Sequence, residues 1–151
     1  MKVVPCFPQL FAIAAALALP AGAESPAVLD ALIGERLTEP LSAVAAMVSL
    51  GDDEAFRVVE IGRDAHASHH AVAIRDREIP HRHDRHDLLV VMLRGHGHMR
   101  LRDEERAVGE GSILYVPRGT VHAFRNEADE PAIAFAVYWP PFDGRDRIKV
   151  D

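Results

Sequence analysis

From residue 56 to residue 139 the chain is a succession of short β-rich runs broken by turn residues. That texture restricts its fold more than any other feature. The runs are FRVVEI, HHAVAI, LLVVML, HMRL, SILYV, VHAF and AIAFAVYW, spaced by Gly, Pro, Asp and Asn. Strands this short and this regularly punctuated build an all-β sandwich or barrel. In LLVVML and AIAFAVYW no polar residue alternates with the apolar ones, so both faces of each strand are expected to be covered. The inner face looks into the barrel. The outer face needs either the segment before residue 56 or a second subunit, so a homodimer is one way to cover it.

The first 23 residues are set apart from this pattern. MKVVPCFPQLFAIAAALALPAGA has a lone Lys2, an apolar run from Leu10 to Leu19 and then Ala21-Gly22-Ala23. This is the order of a secretory leader: basic start, short apolar middle, small-x-small cleavage site. Ten apolar residues make about 15 Å of helix, roughly half of what a bilayer core demands. Cleavage after Ala23 is therefore expected, with export to a periplasm or the medium and no membrane attachment afterwards. Removing 23 of the 151 residues leaves 128 and takes away Cys6, the only cysteine. The mature chain then has no thiol and no disulfide, which excludes a cysteine nucleophile and leaves stability to a hydrophobic core. Loss of Lys2 moves the formal net charge from −6 to −7. The arginines lie scattered among acids, as in RDRE and RLRDEER. An acidic chain without a basic stripe does not suit nucleic acid or anionic lipid.

Residues 24–54 precede the β-rich region. SPAVLDALIGERL, 25–37, begins with Ser25 as an N-cap and Pro26 in the first turn, so a short helix is expected there, weakened by Gly34. LSAVAAMVSLGDDE, 41–54, reads as helix or as extended chain, its period being unclear. The barrel is expected over 55–142 and a tail over 143–151. PPFDGRDR, at the junction of the two, reads as a surface wrap or a dimer contact without chemistry.

Chemistry is concentrated in PHRHDRHD, 80–87, which packs three histidines, two arginines and two aspartates directly before LLVVML. His81 and His83 are two apart, so on a strand they point to one face, about 6–7 Å apart along the chain. Two imidazoles so placed can converge on one ion. Pro80, which cannot donate to a ladder, suits the start of such a strand. A second stretch, GEGSILYVPRGTVHAFRN, 109–126, reads as strand, tight turn and returning strand. Proline fixes φ and glycine permits φ > 0 in Pro117-Arg118-Gly119, and His122 opens the return. A hairpin of this kind can deliver His122 to the inside of a barrel from a distant part of the sequence.

On these residues the region 56–140 resembles a cupin. Gly111, Pro117, Gly119, His122 and Asn126 match every fixed position of the family's second motif, G-x5-P-x-G-x2-H-x3-N. The first motif is G-x5-H-x-H-x3–4-E-x6-G. His81, His83 and Gly95 match it, and with x3 spacing Asp87 falls on the carboxylate position. Three departures stand out: Arg75 replaces the leading glycine, the carboxylate is aspartate, and seven residues rather than six separate Asp87 from Gly95.

The resemblance implies an all-β double-stranded β-helix, a jelly-roll barrel, preceded by a short helical segment. It also implies one divalent transition metal (Fe, Mn, Ni, Zn or Cu) held by His81, His83, Asp87 and His122, and a small-molecule substrate or ligand. His86 rivals Asp87 for the fourth place. The two point to opposite faces of a strand. If Asp87 faces inward, Leu89, Val91 and Leu93 line the barrel; if His86 does, Leu88, Val90 and Met92 do. Apolarity does not choose between these sets, and the x3 spacing favours Asp87.

Other residues are expected to play lesser parts. Arg82, Asp84 and Arg85 read as rim charges. His96 and His98 read as outward-facing, since Met99 and Leu101 take the other face. His66, His69 and His70 lie near a strand without an assigned role. Tyr115, Phe124, Tyr138 and Trp139 read as core, and Arg118 as a place where an anion can meet the second-motif turn. Two functions fit the whole: a small metal-dependent dioxygenase, decarboxylase, isomerase or lyase acting on a small polar or anionic molecule, or a non-enzymatic protein that binds a metal or small ligand.

Overall fold

The two runs that are apolar on both faces lie side by side. The computed structural model describes residues 32–33, 36–37 and 41–150; the leader expected over 1–23 and residues 25–31 lie outside them. In chain order the elements are β1 (Leu32–Ile33), β2 (Arg36–Leu37), α1 (Leu41–Met47), β3 (Phe56–Arg63), β4 (Ser68–Ile74), β5 (His81–Arg82) and β6 (Asp87–Arg94). There follow β7 (His96–Leu101), β8 (Glu104–Gly109), β9 (Ile113–Val116), β10 (His122–Asn126), β11 (Ala132–Trp139) and β12 (Ile148–Lys149). Two five-stranded antiparallel sheets form the barrel, in the orders β3-β4-β11-β6-β9 and β12-β5-β10-β7-β8. The fold is the expected all-β barrel with a short helix before it.

Of the segment 25–37, expected to be helical, the described residues are extended instead. Leu32–Ile33 and Arg36–Leu37 pair as a two-stranded antiparallel ribbon. Leu41–Met47, in the stretch that read as helix or extended chain, forms a helix. Among the described residues no helix is long and apolar enough to cross a membrane.

Strand parity sorts the apolar residues into two clusters. Leu88, Val90 and Met92 of β6 and Ala132, Ala134, Ala136 and Tyr138 of β11 point inward with Val72, Ile74, Met99 and Phe124. On the outer face Val44 of α1 and Val48, the residue after its end, pack on Ala71, Ala73 and Ile133. Alanines at those two positions of β4 leave room for the helix to approach. The segment before residue 56 thus covers part of the outer face. Further along it Tyr115 and Trp139 stack at 5.8 Å between ring centroids, and Ile113 remains 70% exposed.

β8 carried no signal in the sequence. Its residues, Glu104 to Gly109, are mostly exposed on an edge strand, where charged side chains guard the unpaired backbone. Its partner β7 places His96 and His98 outward, with Met99 buried between them and the core, as the alternation implied. Gly97 faces the same way as Met99, so close to β10 that an added Cβ would press on the Arg125 carbonyl oxygen and the Phe124 ring. Gly97→Ala is therefore expected to destabilise the fold by about 3 kcal/mol. Gly109→Ala, whose Cβ would first meet a side-chain atom at 3.6 Å, should cost much less; denaturant unfolding of the two variants compares them.

Candidate metal centre

β5 and β10 pair so that His81 lies opposite His122. The strand brings His83 around beside them. The three rings are each 2% exposed, with centroids 4.3 Å (His81–His122), 5.2 Å (His81–His83) and 5.3 Å (His83–His122) apart. Their ligand atoms lie within 4.8 Å of one another.

Each ring is held in one tautomer by the backbone. His81 Nδ1 donates to the Ile79 carbonyl at 2.9 Å, His122 Nδ1 to the Thr120 carbonyl at 2.9 Å, and His83 Nδ1 to the Asp146 carbonyl. A carbonyl only accepts, so the proton sits on Nδ1 and the lone pair on Nε2. His83 Nε2 is buried without a hydrogen-bond partner. That is a costly state for a polar atom unless something fills its place. A buried lone pair beside two imidazoles in matching tautomers fits a divalent cation, and carbonyl-fixed Nδ1 protons are the usual support of metal-binding histidines. His69 Nδ1 and Thr120 Oγ1 are also buried without partners, but they belong to no such cluster.

Burial keeps these rings neutral. His81 is pushed down to about 3, by burial first and then by His122 and Arg147. His122 falls to about 4 through burial, against the pull of the Thr120 carbonyl, and burial lowers His83 as well. Neutral imidazoles are the state a metal requires.

Asp87 does not join them. Its position on β6 has the parity opposite to Leu88, Val90 and Met92, so the side chain points out of the barrel. There its carboxylate accepts from the Arg118 backbone N–H at 2.8 Å and from the Arg118 guanidinium at 2.6 and 3.2 Å. That pairing, led by the guanidinium, holds the Asp87 carboxyl below its ordinary range. Arg118 is thereby engaged with Asp87 instead of a ligand, and Asp87 ties the turn after β9 to β6. With the family's x4 spacing the carboxylate position is Leu88, and six residues separate it from Gly95. The seven-residue gap counted from Asp87 was the sign of that frame.

His86 has the inward parity, yet it is no ligand either. Its Nδ1 meets the Asp146 carboxylate at 2.5 Å and its Nε2 the Pro141 carbonyl at 3.2 Å, so both nitrogens are taken. Among the described residues the centre is three imidazoles with no carboxylate.

The C-terminal tail, expected to carry no chemistry, closes over this centre. β12 pairs with β5, Phe142 stacks on Tyr138 at 4.7 Å, and Asp146, 4% exposed, is anchored beneath. The Asp146 carboxylate accepts from the N–H groups of Asp84 (3.0 Å) and Arg85 (2.8 Å) and from His86. Burial alone would raise this carboxyl, but His86 and the two N–H groups prevail and lower it to about 2. One residue therefore fixes the His83 tautomer through its carbonyl and the 84–86 loop through its carboxylate. Arg82 and Arg85 pair with Asp84 and Asp143 at the exposed rim.

Beside the triad lies a cavity of about 250 Å³, lined by His81 and His122, by aliphatic and aromatic side chains, and by Glu78 and Arg147. Tyr138 and Phe124 line it too, whereas Tyr115 and Trp139 stack outside. His70 faces inward, bonded to Ser68 at 2.9 Å and set edge-on to Tyr138. His69 stacks on Phe135 outside, and His66 is exposed in a turn. Glu78 and Arg147 had no motif to announce them.

An antiparallel double-sheet barrel with a buried cluster of histidines at one end defines a class of small β-barrel proteins able to hold a metal ion. The Cupin domain family model matches residues 68–138. An uncharacterized protein of Aquifex aeolicus (strain VF5) is 33% identical over 101 residues, 67% of this chain and 83% of that protein. A double-stranded β-helix protein from Klebsiella pneumoniae superposes with a TM-score of 0.61 at 16% identity, covering 72% of this chain and 94% of that one. Pac13, described as a nucleoside dehydratase, superposes at 0.56 with 17% identity, over 70% of this chain and 87% of its own. The chain belongs to the cupin superfamily.

Two predictions concern the centre. Asp146→Ala is expected to weaken Zn(II) binding about 10- to 100-fold in a chelator competition, while Asp143→Ala at the rim leaves it unchanged. The second concerns pH. Below the ordinary histidine value of 6.5 the unfolded chain binds protons that folded His81 and His122 refuse until about pH 3 and 4, and His83 and His70 shift in the same direction. Stability of the metal-free protein should therefore be fully present above pH 6.5 and fall as pH drops towards 4. Glu78, whose carboxyl burial raises, works the other way but is one group against four. Urea midpoints across that range test the sign; a flat profile contradicts it.

Proposed function

We propose that the protein is a small metal-dependent enzyme of the cupin type, exported by its amino-terminal leader. It acts on a small molecule held in the cavity beside His81, His83 and His122. The observation that carries this reading is Glu78. It lines the same cavity as His81 and His122, only 13% of its side chain is exposed, and it is not one of the three clustered histidines. Burial raises its carboxyl group, against the pull of Arg147 and the Phe124 backbone. A carboxyl raised in this way holds its proton more readily than an exposed one and can pass it to a bound molecule. A pure binding site needs no such group.

The chain's own residues divide the work. The three Nε2 atoms would hold the ion, which when bound polarises a substrate oxygen or acidifies water. Glu78 holds or gives up the proton at its carboxyl oxygen. Tyr138, its hydroxyl pushed above the ordinary range by burial and by Glu78, remains a neutral donor in the cavity wall. Phe142 and the tail screen the centre from solvent. With no carboxylate among the ligands, more coordination positions stay open, the hallmark of catalytic rather than structural sites. Dioxygenase, decarboxylase, isomerase and lyase chemistry all fit this set.

The test begins with metal. Protein purified from its native compartment should carry a stoichiometric divalent metal, His122→Ala should lose it, and His98→Ala should keep it. Equal loss from both changes would mean that other imidazoles bind. The metal-loaded protein is then assayed for oxygen uptake and decarboxylation on catechols, β-diketones and keto acids. Turnover abolished by Glu78→Gln at unchanged metal content supports the enzyme; full metal with no turnover in any assay supports the alternative, a metal- or ligand-binding protein.

A further inference from the structure

Arg147 is the least satisfied cation near the centre. Its Nη2 lies 3.5 Å from Glu78 Oε1, the outer limit of a hydrogen bond, and 3.3 Å from His81 Nδ1. The second contact is no bond, because His81 Nδ1 already gives its proton to Ile79 and has no lone pair to offer. Elsewhere the arginines that pair do so closely: Arg118 with Asp87 at 2.6 Å, Arg85 with Asp143 at 2.6 Å, Arg82 with Asp84 at 2.7 Å. A guanidinium has five N–H donors in a planar fork suited to a carboxylate, and here the fork is largely idle.

Its place makes that idleness informative. Arg147 is 28% exposed at its side chain and lies over the Phe56 ring, 5.3 Å from the centroid. Phe56 and Val58 are each 39% exposed and line the cavity, so the opening lies at β3, with Arg147 reaching across from the tail. Among the described residues that line the cavity, Glu78 and Arg147 alone carry a formal charge; the rest of the wall is apolar or neutral.

We propose that the cavity receives a small carboxylic acid with an apolar body, its carboxylate gripped by Arg147 beside the triad and its body laid against Met92, Met99 and Phe124. A carboxylate suits better than a phosphate, since Glu78 sits on the same guanidinium and would repel a dianion more strongly. The volume, about 250 Å³, lies just below the usual range of ligand cavities and limits the ligand to a small molecule. This deepens the enzyme reading by naming its substrate class, and it rests on that reading for the role of the bound acid.

The experiment uses hexanoate and its neutral isostere hexanamide, titrated by calorimetry into the metal-free and Zn(II)-loaded protein. In the metal-free protein no ion can draw the carboxylate, so hexanoate is expected to bind about tenfold or more tighter than hexanamide through Arg147 alone. Arg147→Gln should erase that margin and Arg147→Lys restore part of it, with zinc stoichiometry unchanged in both. Equal affinity for the two ligands, no binding of either at millimolar concentration, or a margin that survives Arg147→Gln overturns the proposal. A protein that takes up no metal at the triad sinks the enzyme reading instead, and leaves the hexanoate margin in the metal-free protein to be read separately.

Discussion

Every property of the centre depends on where three protons sit. An imidazole has two nitrogens, and a ring that turns or changes tautomer presents an N–H where a lone pair is needed. Here His81, His83 and His122 each hand the Nδ1 proton to a backbone carbonyl, of Ile79, Asp146 and Thr120. Two of those carbonyls lie two residues before their histidine, so the local turn sets the tautomer. The third comes from the far end of the chain. The strand pairing that places His81 opposite His122 would bring rings together without ordering them; the carbonyls turn proximity into a directed set of lone pairs.

This explains how much of the protein was legible. All seven β-rich runs are strands, because each one alternates or buries its side chains with a period of two, and the second-motif turn is local chemistry of Pro117 and Gly119, whose φ is +76°. Strand parity was the ambiguous element. LLVVML is apolar at every position, so composition carries no parity, and the spacing had to decide between Asp87 and His86. The gap to Gly95 held the better information, since the frame that restores six residues puts Leu88 inward, as found. Asp87 and Arg118 attract each other on the outer face, where a carboxylate needs no metal to be satisfied.

The tail was opaque for a different reason. Asp146 and Phe142 lie some sixty residues from the histidines they support, and Arg147 is as distant in sequence from His81. No period or spacing connects residues across such a distance; only the closing of β12 on β5 does. The stretch PPFDGRDR, 140–147, reads as a surface wrap or dimer contact because its side chains are chosen for partners that are invisible in one dimension. Glu78 is similar. It falls in an irregular link before β5, and its N–H bond to the Phe124 carbonyl at 2.9 Å is what pins it to the barrel wall.

Charge gives the centre its remaining character. Three neutral imidazoles contribute no negative charge, so a divalent ion among them would keep its full formal charge, whereas a glutamate ligand would have cancelled half. The inward position that would carry that glutamate is leucine, and the nearby Asp87 has spent its charge on Arg118. The carboxyl group that does line the cavity, Glu78, is raised by burial toward its neutral form, and a cation, Arg147, stands beside it. With an ion bound, the interior would be short of negative charge on both sides of the cavity, at the triad and at the guanidinium. A low-dielectric pocket amplifies such an imbalance rather than screening it. The molecule best able to correct it brings its own negative charge and little else that is polar.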